Sequence, residues 1–96
     1  MNNFEYFNQY IKNKIPSEVG LKYSNDTNGL FGSLQRVEFE SQTRIGGVDF
    51  WSSGWINMHL VDTVKGNELI NILLEPNKKE KVYDAFDHML ELISRN

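Results

Sequence analysis

Cysteine is absent from this 96-residue chain, which excludes disulfides, thiol catalysis and cysteine-ligated zinc together. That absence suits a reducing compartment. Proline occurs only twice, as Pro16 and Pro76, so little interrupts regular structure. No apolar run approaches the ~20 residues needed to cross a bilayer. Met1-Asn2-Asn3-Phe4-Glu5-Tyr6 has neither the basic stretch nor the apolar run of a signal peptide, so a cytoplasmic protein with no membrane partner is expected. Basic residues are in the minority, ten Lys and Arg against thirteen Asp and Glu, for a net charge of −3. A protein that grips phosphate backbones needs a basic face, so no direct nucleic-acid binding is expected and the charge suits a basic partner. No Gly-x-Ser-x-Gly elbow occurs, and no histidine is placed to activate a serine.

What is present is globular. Hydrophobic residues make up 40% and aromatics 12%, too apolar for a disordered chain. The length fits one domain over residues 1–96, able to bury roughly two-thirds of its unfolded surface in one two-layer core.

Phe4, Phe7, Ile11 and Ile15 recur at spacings of three and four, predicting an N-terminal helix that Pro16 ends. Val19, Leu21 and Tyr23 then alternate with polar residues as a strand. Ser24 to Gly29 reads as a polar turn continuing as a loop to about Gly32. Leu34 to Glu40 is a second strand, Ser41-Gln42 a turn, and Thr43 to Trp51 a third strand. Ser52-Ser53-Gly54 reads as a three-residue hairpin loop with Gly54 left-handed. A two-residue loop would put Trp51 and Trp55 on opposite faces. The longer loop keeps Val48, Phe50, Ile56, Met58 and Leu60 on one apolar face. Trp55 to Asp62 and Glu68 to Leu74 supply the last strands. Asn77 with Glu80 suggests a capping box before a helix running to about Arg95, with Val82, Ala85 or Phe86, Met89 and Ile93 as its core stripe. The expected fold is α+β: an N-terminal helix, an antiparallel sheet of four to five strands and a C-terminal helix, with both helices on one sheet face.

Candidate chemistry is sparse. Asp84, Asp87 and His88 share one helix face, but a metal would need further ligands and nothing nearby supplies them. A solvated helix face is the better reading, and neither a metal nor a cofactor is expected. His59 falls on the sheet face away from the core, where a surface or interface role outranks a general base. Gly46-Gly47 suggests a bulge or close packing before a phosphate cradle. Lys78, Lys79 and Lys81 at the start of the last helix oppose its dipole and have no evident structural reason.

The second sheet face is the informative feature. Strand phase places Trp51, Trp55, Val61, Leu69 and Leu73 there, amid Asn57, His59 and Asn71. Glu38, Glu40, Asp49 and Asp62 surround the tryptophans. A face left uncovered by helices should be polar, so a mixed aromatic and acidic patch reads as a protein-binding surface. The alternative is that a helix covers part of that face, or that sheet twist tucks these residues under loops.

The stretch Gly47-Val48-Asp49-Phe50-Trp51-Ser52-Ser53-Gly54, a strand ending at Val61-Asp62, the Gly66 turn, Leu69 to Glu75 and a closing helix with Phe86 and Leu90 resemble the TriTu-type immunity proteins. These small bacterial proteins accompany polymorphic and contact-dependent growth-inhibition toxins. The resemblance covers roughly residues 45–95. It implies a non-enzymatic inhibitor that blocks the active site of its cognate toxin's C-terminal nuclease domain. The toxins are RNA-cleaving, including tRNA-directed ones that act with elongation factor Tu, so that factor is a candidate third component. The reading in a different class is a small intracellular adaptor that self-associates through the same face.

Overall fold

The computed structural model describes residues 1–29 and 32–94. Leu30 and Phe31, at the tip of the expected loop, and Arg95, at the expected end of the last helix, lie outside the described residues. The chain runs as a helix, five strands and a helix. The sheet is antiparallel throughout, with its strands in sequence order.

The N-terminal helix begins as α1 (Asn3–Tyr6). Its entry is fixed by Asn2, whose side chain accepts the Glu5 N–H at 2.8 Å while the Glu5 carboxylate accepts the Asn2 N–H at 3.1 Å. The helix then widens into a π-helical turn over Phe7–Ile11, where the Lys12 N–H reaches back to the Phe7 carbonyl, and tightens into a 3₁₀ turn over Lys12–Lys14. Phe7, Ile11 and Ile15 are all buried, as their spacing predicts. Ile15 leaves the helix in extended conformation, as the following Pro16 requires.

The strands are β1 (Gly20–Gly29), β2 (Gly32–Glu40), β3 (Arg44–Trp51), β4 (Ile56–Asp62) and β5 (Glu68–Leu74). Two boundaries differ from expectation. Ser24 to Asp26 is not a turn but strand, paired in register with Arg36 to Leu34. An outer strand has one edge and one face in water, so polar residues fit it once the ladder satisfies their backbone. The β2–β3 loop is centred on Gln42-Thr43, one residue later than expected. The Ser41 N–H donates to the Arg44 carbonyl at 2.8 Å, and its Oγ accepts from the Arg44 N–H at 3.1 Å. That shift moves every β2–β3 partner by two residues.

The β3–β4 hairpin is as expected. The Trp51 N–H donates to the Trp55 carbonyl at 3.0 Å, Phe50 pairs with Ile56, and Gly54 takes φ +100°. Gly46 and Gly47 form no bulge, because both stay in register with β2 and β4. A Cβ at Gly46 would run into the His59 carbonyl oxygen, so this pair serves close strand approach.

The last helix, α2 (Lys79–Ile93), buries Val82, Ala85, Phe86, Met89 and Ile93. The expected capping box does not form. Lys78 occupies the cap position without a side-chain bond, and Asn77 adopts φ 68°, a left-handed conformation asparagine tolerates. Both helices lie on one sheet face, because Phe50 of β3 meets Phe7 at 5.7 Å and Phe86 of α2 at 6.3 Å between ring centroids. Tyr6 stacks on Tyr83 at 4.2 Å, joining the helices directly. Arg44 ties α2 to the sheet: its Nε donates to the Leu92 carbonyl at 3.0 Å, one of the acceptors a helix C-terminus leaves unpaired. Among the described residues, no helix is long and apolar enough to cross a membrane.

Candidate functional site

With both helices on the Phe50 side, the opposite sheet face carries no second layer among the described residues. The register arranges it in rungs. At the hairpin end, Asp26, Leu34 and Trp51 lie side by side, with Trp55 across the loop. The next rung is Ser24, Arg36, Asp49, Asn57 and Leu73, followed by Lys22, Glu38, Gly47, His59 and Asn71. Gly20, Glu40, Ile45 and Val61 close the far end.

The expected residues do not form one acid-rimmed patch. Glu38 and Glu40 are exposed. Asp49 is instead buried, at 5% exposure, and is gripped by Arg36, with Nε to Oδ1 at 2.6 Å and Nη2 to Oδ2 at 3.2 Å. The expected free acid is therefore half of a fork-like ion pair, and Asp49 is withdrawn from the set of solvated charges. The same bond holds the Arg36 guanidinium above its ordinary pKa, with partial burial working the other way.

Asp62 is likewise committed to structure. Its Oδ1 accepts the Val64 and Lys65 N–H groups at 2.9 and 3.1 Å, and its Oδ2 lies 3.6 Å from Arg44 Nη1. The Lys65 bond is the largest of the influences that lower its pKa. These bonds shape the Thr63–Asn67 turn, and short polar side chains form such turns by bonding their own backbone.

Trp51 and Trp55 are half-buried on the uncovered face rather than fully exposed, as are Asn57 and His59. The His59 ring lies beside Gly47, where a Cβ would make only ordinary contact with Cε1 at 3.5 Å; what requires glycine there is the Val37 carbonyl oxygen of the neighbouring strand, 2.7 Å from that position. Leu69, expected on this face, is the extra residue where Leu60 pairs with Ile70 but Val61 with Glu68, and it is partly buried against the core. Leu73 does stand on the open face, at 51% exposure.

The structure adds two residues that sequence reasoning missed. Ile45 is 46% exposed, between Glu40 and Val61. Glu18, just before β1, joins Glu38 and Glu40 around a shallow groove of about 490 Å³ that Ile45 also lines. The signal for both was the β2–β3 and β1–β2 register, which places Ile45 and Gly20 on either side of Glu40. Glu18, Glu38 and Glu40 thus gather toward the end away from the tryptophans, with Lys22 lining the same groove, while Asp26 stands exposed in the tryptophan rung. Asp84, Asp87 and His88 lie exposed on α2, and among the described residues no three His, Asp or Glu side chains converge as a metal site.

Compared with known proteins, the chain matches no family model, no curated protein and no solved structure.

Proposed function

We propose that this chain is an immunity protein of a contact-dependent growth-inhibition type: a non-enzymatic inhibitor that binds a basic toxin nuclease domain through its uncovered sheet face and occludes the toxin's active site. The observation that carries the reading is that face itself. It is broad, carries no covering layer among the described residues, and combines half-buried tryptophans, exposed Ile45 and Leu73, and the carboxylates Glu18, Glu38 and Glu40. Aromatic anchors with a polar surround are how protein interfaces are built. A carboxylate cluster at one end orients a basic partner and speeds encounter.

The chain would act in the cytoplasm, where an incoming RNA-cleaving toxin meets its substrate. A tRNA-directed toxin that works with elongation factor Tu would bring that factor into a ternary complex. The direct test is co-expression with the toxin C-terminal domain encoded by the neighbouring reading frame. A stable complex and loss of RNA cleavage in its presence are expected. A toxin that binds nothing here and cleaves RNA undiminished overturns the reading.

A further inference from the structure

The carboxylates of the uncovered face differ in what holds them. Asp49 is gripped by Arg36, and Asp62 by the Val64 and Lys65 N–H groups. Glu18, Glu38 and Glu40 are exposed, and none of them makes an ion pair or a side-chain hydrogen bond among the described residues. The register accounts for this. Glu38 has Lys22 and Gly47 as its cross-strand neighbours, and Glu40 has Gly20 and Ile45. Residues two apart on a strand share a face, so Glu38 and Glu40 stand in a row. Around the groove of about 490 Å³, three carboxylates therefore meet a single lysine, Lys22.

A second observation concerns the lining of that groove. Gly20 lines it and pairs with Glu40, yet it lacks the positive φ of Gly32, Gly54 and Gly66. A Cβ at Gly20 would make only ordinary contact, 3.5 Å from the Glu40 carbonyl oxygen, whereas one at Gly46 would collide with backbone. Neither backbone conformation nor close strand approach requires glycine here. Its effect is to leave open a cradle that a side chain would fill. Ile45, on the other side of Glu40 and 46% exposed, adds an apolar wall to the same groove.

We propose that this groove seats one arginine side chain of the basic toxin domain. The inference rests on the toxin-binding reading and adds to it the residue type that enters and the place that holds it. Charge complementarity selects a cation, because the unpaired carboxylates outnumber Lys22 by three to one. The cradle at Gly20 takes a side chain from outside, and the Ile45 surface suits one with an apolar stem. A guanidinium is weakly hydrated and presents its donors in a rigid fork, so it can meet more than one carboxylate, where an ammonium acts as a point charge. The two parts of the site then act on different rates. The exposed glutamates draw the cation in, and the seat formed by Gly20 and Ile45 slows its departure.

Binding of the intact chain to the toxin C-terminal domain encoded by the neighbouring reading frame tests this. Gly20→Leu fills the cradle, and Ile45→Ala removes the wall at an already exposed position. Both variants should melt like the wild type and dissociate faster, Gly20→Leu by about tenfold or more. Replacing the toxin's arginines and lysines by alanine one at a time then identifies the occupant. One arginine replacement should weaken binding to the wild type by about tenfold or more and have little further effect on Gly20→Leu, as two changes at one contact do. The same cycle on Ile45→Ala decides the case if Gly20→Leu fails to fold. A toxin domain that binds no form of this chain overturns the toxin-binding reading and this inference together. Equal dissociation from the wild type and from folded Gly20→Leu, or arginine replacements that all add independently, overturns the arginine seat alone. A coupled lysine in place of an arginine overturns it likewise.

Discussion

Arg36 and Asp49 stand directly opposite each other on β2 and β3 and are joined by two hydrogen bonds, but they share the burial unequally: the Arg36 side chain is 42% exposed and that of Asp49 only 8%. Removing one partner is therefore not equivalent to removing the other. Arg36→Met leaves a buried carboxylate without its donor and should cost about 2–3 kcal/mol. Asp49→Asn keeps an acceptor and leaves a guanidinium that water can reach, so about 1 kcal/mol or less is expected. Urea denaturation of both variants checks this, and equal losses would contradict it.

Gly46 is fixed by strand approach rather than by a turn. Its Cβ position is taken by the His59 carbonyl and lies 2.9 Å from Leu60 Cα, both of them backbone, so no side-chain rotation relieves the clash. Gly46→Ala should cost about 2 kcal/mol or more, as overpacking of a tight core does. Gly20→Ala, whose Cβ would make ordinary contact at 3.5 Å, should be close to neutral. Thermal melts of the two variants are the comparison.

Asp62 predicts an acid dependence. Its carboxyl is held below its ordinary pKa first by the Lys65 N–H, with the Val64 N–H and the Arg44 and Lys65 charges acting in the same direction. A folded value below the unfolded one means that the ionised group stabilises the native state. That contribution is complete above about pH 4 and is lost as pH falls through the lowered value. Asp62→Asn keeps an acceptor but not the charge. It should melt below the wild type at neutral pH, and the gap should close in strong acid. A gap independent of pH would show that the charge contributes nothing.

The sequence made the hairpin legible because two constraints agreed. Alternation on both sides of Ser52-Ser53-Gly54 demanded that Phe50 and Ile56 share a face, and a glycine stood where positive φ was needed. The stripe on α2 was legible for a similar reason: fifteen residues of one period leave little choice of face. The pairing of Arg36 with Asp49 was not. A β2–β3 loop one residue earlier sets Arg36 against Gly47, and the true register is closed by Ser41, whose N–H donates to the Arg44 carbonyl and whose Oγ accepts the Arg44 N–H. Asn77 misled because its spacing to Glu80 fits a cap, while the chain entering α2 from Pro76 needs a left-handed residue there. On the candidate face, the tryptophans and the exposed glutamates were readable from phase alone. Asp49 and Asp62 were not, because their partners come from register and from turn geometry.

If the uncovered face engages a basic nuclease, the anchors and the steering charges lie at opposite ends of it, so their substitutions should act on different rate constants. Trp51→Ala and Trp55→Ala remove half-buried aromatic area, and truncating a central anchor costs about 2–4 kcal/mol, expressed mainly in dissociation. Glu38→Gln and Glu40→Gln leave the shape unchanged and should chiefly slow association at low salt, an effect that fades as salt screens the charges. Asp49→Asn and Asp62→Asn should alter stability with little change in association rate, since neither carboxylate is a free surface charge. Because both tryptophans are partly packed, melting temperature has to be followed alongside binding. A fall in melting temperature with unchanged kinetics assigns Trp51 and Trp55 to the fold. Unchanged kinetics in a folded Trp51→Ala and Trp55→Ala double variant, together with salt-insensitive association in Glu38→Gln and Glu40→Gln, would place toxin recognition away from this face.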